Sequence, residues 1–138
     1  MTISRILGID YGSVRIGLAL SDPLKIISRP YKVILNKGAE TFIVIKTLVE
    51  EQSISKIVLG LPYDIDGSDS DKTREVRDFA RILEAELTTP VIFWDERYTS
   101  SDANSFLKSM GIDYKKSKKV IDKIAAAIIL KDYLESLK

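Results

Sequence analysis

Apolar residues occur in short, closely spaced runs at the start of the chain and at helical spacing further along. The pattern predicts two strands over residues 5–10 and 14–20, joined by a turn in which Gly12 adopts the positive φ that a tight turn needs. A third strand is predicted over residues 28–35, where Pro30 lacks a ladder donor and favours an edge strand or the start of a strand. The start of the chain is thus expected to form an antiparallel meander.

Beyond this meander the pattern alternates between helix and strand spacing. Apolar side chains three and four residues apart predict helices, and a short apolar run closed by Pro62 predicts a strand that is buried on both faces. The predicted order is helix 39–52, strand 56–62, helix 71–87, strand 90–94, helix 100–110 and helix 120–137. This order predicts an α/β protein with a mixed five-stranded sheet, an antiparallel meander plus two parallel strands, flanked by helices. Such an order is typical of an RNase H-like fold, although actin-like ATPases share its opening.

The composition restricts the class of protein and the chemistry available to it. With 138 residues, 45% hydrophobic and 30% charged, the chain is expected to form one globular domain over residues 1–138. It contains neither cysteine nor histidine, which excludes thiol nucleophiles, histidine bases and zinc sites built on these residues. No apolar run is long enough to cross a membrane and no signal-peptide pattern precedes the first strand, so a cytoplasmic protein is expected.

Acidic residues stand at three places where elements begin or end. Asp10 ends the first predicted strand, the adjacent Asp95 and Glu96 follow the last predicted strand, and Asp122 begins the last helix. Each has an ordinary structural explanation: a turn-supporting aspartate, a surface salt bridge with Arg97, and an anion at a helix N-terminus. Because ligands bind beyond the carboxyl ends of parallel strands, a shared site explains all three together. Since neighbouring strand residues face opposite ways, only one of Asp95 and Glu96 is expected to point into it.

A cluster of carboxylates at this edge indicates a particular kind of metal site. Hard carboxylate oxygens suit Mg²⁺ or Mn²⁺. Two such ions roughly 3.5–4 Å apart can activate a water and stabilise the leaving oxygen of a phosphodiester, and this chemistry needs no histidine. The sequence therefore favours a magnesium- or manganese-binding cluster over three unrelated acids.

Basic residues gather beside the last of these acids. The net charge of the whole chain is +1, so a nucleic-acid partner is argued from the placement of the charges and not from their total. Arg15 and Arg97 lie near the other acids and are further candidates for phosphate contact. The alternative interpretation is an exposed, solvated loop. The candidate nucleic-acid-binding lysines before Asp122 are Lys115, Lys116, Lys118 and Lys119, and Lys123 directly follows it.

A second acid-rich segment, residues 64–71, is called the acidic loop. It carries four aspartates, but it lacks the residue order and the final glutamate of a calcium-binding loop. We therefore predict that it is a solvated loop and the entry to a helix. One of Asp64 and Asp66 can still approach the metal site, because the loop follows a central strand.

Four ordered motifs span essentially the whole chain. They are LGIDYGSVRIGLA from residue 7, LGLP from residue 59 with Asp66-Gly67, DERYTS from residue 95, and KVID from residue 119 with Ala125-Ala126. In these motifs the chain resembles the YqgF (RuvX) family of small bacterial proteins. Its members are described as pre-16S ribosomal RNA nucleases and as Holliday junction resolvases, and the resemblance implies an RNase H-like fold. It also implies that Asp10, Glu96 and Asp122 are the catalytic and metal-binding acids.

The motifs and the charge pattern together predict a hydrolase that acts on ester bonds. The expected activity is that of a Mg²⁺- or Mn²⁺-dependent nuclease in the 5′-end processing of pre-16S ribosomal RNA. The expected partner is structured RNA, with a four-way DNA junction as the alternative, bound by a monomer or a homodimer and without a membrane. A non-catalytic ribosome-assembly factor and an actin-like ATPase are the competing classes. The second of these normally needs two related domains, for which 138 residues leave no room.

Overall fold

The computed structural model of the chain describes residues 3–96 and 118–138. Its strands are β1 (Arg5–Asp10), β2 (Arg15–Ser21), β3 (Ser28–Leu35), β4 (Ile54–Leu61) and β5 (Val91–Asp95). They form one sheet in the order β3-β2-β1-β4-β5. The pairs β1–β2 and β2–β3 are antiparallel, whereas β1–β4 and β4–β5 are parallel. The predicted mixed sheet, a meander plus two parallel strands, is confirmed.

Helices cover both faces of this sheet. In the described ranges they are α1 (Ala39–Glu51), α2 (Asp71–Glu86) and α3 (Lys118–Ser136). One hydrophobic core lies between the sheet and α1 with α2, and a second core lies between the sheet and α3. The helix predicted over residues 100–110 lies outside the described residues. Within residues 3–96 and 118–138, no helix combines the length and the apolar character that crossing a membrane requires.

Side chains alternate between the two faces of the sheet along β1, and this alternation decides on which face the side chain of the last residue, Asp10, lies. Leu7 and Ile9 belong to the core under α1 and α2, whereas Ile6 belongs to the core under α3. Since Asp10 lies an even number of residues from Ile6, its side chain leaves the sheet on the α3 face. The position of α3 therefore decides what surrounds Asp10.

β3 forms one edge of the sheet, as Pro30 predicts. Pro30 pairs with Ala19, and the register of the β2–β3 ladder shifts between Leu18 and Ala19. A proline removes one ladder donor, which an edge strand tolerates better than a central one. The strand bounds predicted from the sequence, residues 28–35, agree with the structure.

The turn between β1 and β2 needs glycine for a different reason from the predicted one. Gly12 does not adopt a positive φ. A Cβ on Gly12 would lie 2.2 Å from the carbonyl oxygen of Arg15, so any larger residue would collide with the backbone. The Asn36 side-chain amide also donates to the Gly12 carbonyl oxygen at 3.0 Å. The positive-φ prediction was wrong, because the close approach of two backbone segments, and not a left-handed turn, requires the glycine.

Candidate active site

Asp10 and Glu96 meet at the edge of the sheet where the parallel strands end. Asp10 is the last residue of β1, and Glu96 directly follows β5. Their side chains share a hydrogen bond, which requires that one of the two carboxyl groups carries a proton. The fold thus joins two acids that are far apart in the sequence.

A glycine in the intervening strand leaves room for this contact. β4 lies between β1 and β5, and Gly60 of β4 pairs in register with Trp94 of β5. A Cβ on Gly60 would lie 3.0 Å from the Cδ of Glu96 and 2.6 Å from the Cδ1 of Ile129. Because Gly60 has no side chain, Glu96 can reach across β4 to Asp10.

Of the two adjacent acids at the end of β5, Glu96 is the one that faces Asp10. Trp94 packs against the core between the sheet and α3. Because strand side chains alternate, Glu96 continues the face of Trp94, and Asp95 ends β5 on the opposite face. Asp95 still acts on Glu96 through its charge, which contributes to raising the pKa of Glu96.

The second turn of α3 brings Asp122 to the same place. Gly17 of β2 lies directly opposite Asp10 in the antiparallel ladder. A Cβ on Gly17 would lie 1.9 Å from the carbonyl oxygen of Asp122, so the backbone of α3 rests on the glycine. The charge of Asp122 is close enough to raise the pKa of Asp10. Asp10, Glu96 and Asp122 are called the carboxylate site.

Burial and mutual repulsion raise pKa values in the carboxylate site. The pKa of Asp10 rises from 3.8 to about 7, first because burial removes water from the carboxyl group and then because Glu96 and Asp122 repel its charged form. Burial also raises the pKa of Glu96, and the hydrogen bond from Asp10 opposes that rise. Below about pH 7, therefore, the pair keeps a proton and avoids two adjacent negative charges.

The carboxylate of Asp122 is held by an arginine. The Nε of Arg15, the first residue of β2, donates to the Oδ2 of Asp122 at 2.8 Å. Within residues 3–96 and 118–138, no three acidic side chains lie close enough together to hold one metal ion. The structure therefore brings the three predicted acids into electrostatic range of one another, with Asp10 paired to Glu96 and Asp122 paired to Arg15.

Lys72 is a cation of this site that the sequence reasoning missed. It lies in the first turn of α2, and its charge lowers the pKa values of both Asp10 and Glu96. Its Nζ also lies 5.8 Å from the centre of the Tyr11 ring, beside Asp10 in the sequence. A signal was available, because a helix that follows a parallel strand begins at the edge of the sheet where that strand ends.

The predicted nucleic-acid contacts are only partly covered by the structure. Arg97, Lys115 and Lys116 lie outside the described residues. Lys118 and Lys119 are the first two residues of α3. Arg15 is the one of these candidates whose side chain is described, and it contacts Asp122.

The acidic loop is a separate structure whose acids have other partners. The Oδ1 of Asp66 accepts hydrogen bonds from the backbone and hydroxyl of Ser68 at 2.9 and 2.6 Å. Asp69 forms an ion pair with Arg77, and Asp71 forms one with Arg74. The prediction of a loop and helix entry is confirmed.

The entry to α2 is fixed by a capping box. The Ser70 hydroxyl caps α2 by accepting from the Thr73 backbone, and the Thr73 hydroxyl accepts from the Ser70 backbone in return. The Thr73 hydroxyl also donates to the carbonyl oxygen of Pro62, at the end of the strand before the loop. These bonds tie both ends of the acidic loop together.

Comparison with known proteins gives a family and a fold. The family model for RuvX, described as Holliday junction resolvase, matches residues 4–136. A Koribacter versatilis protein is 41% identical over 132 residues, which cover 95% of this chain and 86% of that protein. A Dictyoglomus thermophilum protein is 42% identical over 133 residues, with 96% of each chain covered. Both carry the name "Putative pre-16S rRNA nuclease".

Solved structures support the predicted fold at much lower sequence identity. Thermus thermophilus RuvC in complex with a Holliday junction substrate superposes with a TM-score of 0.62 at 12% identity, covering 96% of each chain. Fowlpox virus resolvase, solved with Holliday junction DNA, has a TM-score of 0.58 at 11% identity, covering 96% of this chain and 98% of that one. The RNase H-like fold expected from the order of elements is confirmed.

Proposed function

The chain belongs to the RuvX family of nucleases, and we propose that it hydrolyses phosphodiester bonds at the carboxylate site with the help of Mg²⁺ or Mn²⁺. The observation that carries this proposal is the buried, hydrogen-bonded pair of Asp10 and Glu96 at the carboxyl ends of the parallel strands. A buried pair of acids with raised pKa values is typical of a functional site and destabilises the fold when both are charged.

The donor set fits a hard divalent cation. Carboxylate oxygens are the ligands that Mg²⁺ and Mn²⁺ prefer, and such ions need only one or two protein carboxylates because they keep several waters. Asp10 and Glu96 already lie in contact and repel each other when both are charged. A cation between them would relieve that repulsion, which Lys72 opposes only in part.

The residues of the site have distinct roles in this proposal. Asp10 and Glu96 would hold the ion, with Asp10 in its unprotonated form. Asp122 would be the third ligand, with its carboxylate released from Arg15. An ion held there would supply an activated water and charge stabilisation for the phosphate and the leaving oxygen. Lys72 adds a positive charge at the same edge, where it can attract a phosphate of the substrate.

We propose that the substrate is a precursor of 16S ribosomal RNA, cut during 5′-end processing in ribosome biogenesis. The support is the name that the relatives carry, and these relatives are about 40% identical over nearly the whole of both chains. The second candidate is a four-way DNA junction, supported by the description of the RuvX family model. The sequence identity to RuvC is only 12%, so the structural similarity supports the fold and does not favour DNA over RNA as the substrate.

A cleavage assay with both substrates tests the proposal. A labelled pre-16S RNA and a labelled four-way DNA junction are incubated side by side with Mg²⁺, Mn²⁺ or EDTA. The proteins are the wild type, Asp10→Asn, and Asp71→Asn as a matched control from the acidic loop. We expect metal-dependent cleavage of the RNA by the wild type and by Asp71→Asn, and none by Asp10→Asn.

Each other outcome contradicts a defined part of the proposal. Cleavage that survives in Asp10→Asn would remove the carboxylate site from the mechanism. Preferential cleavage of the junction would replace the RNA by DNA as the substrate. Tight RNA binding without cleavage under any metal condition would instead support a ribosome-assembly factor that uses the site for binding.

A further inference from the structure

Arg15 forms an ion pair with Asp122, one of the three proposed metal ligands. The Nε of Arg15 lies 2.8 Å from the Oδ2 of Asp122. The two side chains retain 41% and 26% of their solvent exposure, so neither is locked inside the protein. An exposed ion pair of this kind contributes little to the stability of the fold, typically about 0–1 kcal/mol. Its position beside Asp10 therefore calls for another explanation.

The backbone of Asp122 cannot move far, but its carboxylate can. The carbonyl oxygen of Asp122 rests on Gly17, whose missing Cβ would lie 1.9 Å away. Gly17 in turn is paired with Asp10 in the ladder of β1 and β2. With the Asp122 backbone packed against Gly17, rotation of the Asp122 side chain is the simplest movement by which its carboxylate can leave Arg15.

We infer that Arg15 withholds Asp122 from the metal until a phosphate of the nucleic acid binds Arg15 and releases it. Substrate binding then completes the metal site. The inference rests on the proposed function, because it assumes that Asp10, Glu96 and Asp122 are the metal ligands. It adds a positioning role for Arg15 and a coupling between nucleic-acid and metal binding.

The chemistry of arginine makes a phosphate the natural competitor for this carboxylate. A guanidinium has five N–H donors in a planar fork that matches phosphate as well as carboxylate oxygens. In the described part of the chain, the contact of Arg15 with Asp122 uses only Nε. A phosphate diester approaching the carboxylate site can therefore bind the remaining donors first and then displace Asp122. The carboxylate of Asp122 is in electrostatic range of Asp10, whose pKa its charge raises.

Metal binding without nucleic acid tests the first half of the inference. The free Mn²⁺ signal in electron paramagnetic resonance is titrated with wild type, Arg15→Gln, Asp122→Asn and the Arg15→Gln, Asp122→Asn double variant. We expect Arg15→Gln to bind Mn²⁺ about tenfold more tightly than the wild type, because Asp122 is no longer withheld. That gain should vanish in the double variant. Arg81→Gln is the matched control, since Arg81 pairs with Asp78 on α2 at 2.7 Å, away from the site.

Nucleic-acid affinity with and without a divalent ion tests the second half. Fluorescence anisotropy of a labelled RNA stem-loop is measured in EDTA and in Ca²⁺ for the same proteins. Since coupling is reciprocal, the ion should tighten RNA binding by the wild type and by Arg81→Gln, by about fivefold or more beyond any effect on Asp122→Asn. Arg15→Gln should bind RNA more weakly and should lose this additional effect of the ion.

The failure of this inference can be told apart from the failure of the proposed function. If Asp10→Asn binds Mn²⁺ as tightly as the wild type, the metal site is misplaced and both proposals are overturned. If Asp10→Asn loses Mn²⁺ binding while Arg15→Gln binds it no better than the wild type, only the role of Arg15 is overturned. The same conclusion follows if the ion tightens RNA binding equally in wild type and Arg15→Gln.

Discussion

The carboxylate site and the acidic loop are two groups of acids at the same edge of the sheet, and they differ in how their charges are compensated. In the acidic loop, Asp69 and Asp71 each pair with an arginine of α2, and Asp66 accepts hydrogen bonds from Ser68. In the carboxylate site, burial and repulsion raise the pKa values of Asp10 and Glu96.

The difference follows from where the partners lie in the sequence. Three acids of the loop, Asp66, Asp69 and Asp71, have partners a few residues away, in the loop itself or on α2. The acids of the carboxylate site come from β1, the end of β5 and α3. Asp122 pairs with Arg15, whereas Asp10 and Glu96 are buried together and have raised pKa values although the charge of Lys72 acts on both. Acids that are close together in the sequence thus form ion pairs and hydrogen bonds with nearby residues, whereas acids from distant segments form the site that can bind a cation.

The largest expected effect is on catalysis, and it separates the two groups directly. Glu96→Gln keeps the size of the side chain and an oxygen that can accept from Asp10, but it removes the charge of a proposed metal ligand. We expect metal-dependent cleavage to fall roughly 10³-fold, because a bound ion contributes several kcal/mol of charge stabilisation. Asp71→Asn, at an exposed ion pair of the acidic loop, should cleave at the wild-type rate. Single-turnover rates measure both, and equal rates for the two variants would abolish the distinction.

The second prediction concerns the glycine that lets α3 approach the sheet. A methyl group on Gly17 would collide with the carbonyl oxygen of Asp122, so Gly17→Ala should shift the N-terminal part of α3. We expect a loss of about 2–3 kcal/mol of unfolding free energy and weaker metal binding, as in other overpacked interiors. Gly38→Ala is the control, because no atom lies within 4 Å of its Cβ position, although its φ of 65° adds backbone strain.

Urea unfolding and Mn²⁺ titration give the two readouts for these glycine variants. Gly38→Ala should lose some stability and keep its metal affinity. Gly17→Ala should lose both, because only Gly17 supports Asp122. Wild-type metal affinity in a folded Gly17→Ala protein would show that α3 adjusts without disturbing the carboxylate site.

The third prediction concerns how the raised pKa of Asp10, in its pair with Glu96, makes the stability of the fold depend on pH. Between pH values near 4 and 7 the folded protein keeps a proton on Asp10 that the unfolded chain, with its ordinary pKa of 3.8, has released. Because the folded state then binds more protons than the unfolded state, stability falls as the pH rises through this window. Relative to Asp10→Asn, metal-free wild type should lose about 2 kcal/mol between pH 5 and pH 7.

Urea unfolding in EDTA at several pH values measures this difference. Asp71→Asn should follow the wild-type curve, since its carboxylate lies in an exposed ion pair. Saturating Mg²⁺ should remove the loss in the wild type, because the ion takes the place of the proton. Parallel curves for wild type and Asp10→Asn in EDTA would show that Asp10 is not protonated in the fold.

Much of the fold and part of the site could be predicted from the sequence. Strand bounds such as residues 28–35 follow from apolar runs and from Pro30, which are local signals. Their positions at the ends of apolar strands indicate Asp10 and the pair of Asp95 and Glu96, and the family resemblance implies Glu96 rather than Asp95. That Asp10 and Glu96 lie close together follows from the order of the strands in the sheet, which the local sequence does not give. The β4–β5 register then shows which face of the sheet Glu96 and Asp95 each lie on.

The missed features depend on contacts between distant segments. No local pattern shows that the missing side chain of Gly60 leaves room for Glu96, or that the missing side chain of Gly17 lets the backbone of α3 approach β2. Arg15 was expected to contact phosphate, and its pairing with Asp122 depends on how α3 docks on β2. The role of Lys72 depends on how the start of α2 lies beside the ends of β1 and β5, and the local sequence, in which Lys72 follows an acid-rich loop, does not show this contact.

The smallest effect lies in the acidic loop and tests whether that loop is purely structural. Asp69 binds Arg77 through two oxygens, at 2.9 and 3.3 Å, and Arg77 also donates to the Tyr63 hydroxyl at 3.0 Å. Asp69→Asn should lower the unfolding free energy by about 0.5–1 kcal/mol, the upper range for a surface pair, because both side chains are only 35% exposed. Asp78→Asn should change it less, because Asp78 and its partner are 66% and 75% exposed.

Cleavage rate decides what this small loss of stability means. If the loop only closes the entry to α2, Asp69→Asn should cleave at the wild-type rate at temperatures well below its unfolding transition. Lys72 lies between Asp69 and Arg77 in the sequence, so a less ordered start of α2 would move the charge of Lys72 relative to Asp10 and Glu96. A clear fall in the rate of Asp69→Asn, without the same fall in Asp78→Asn, would therefore mean that the acidic loop positions Lys72, and the two groups of acids would have to be treated as one site.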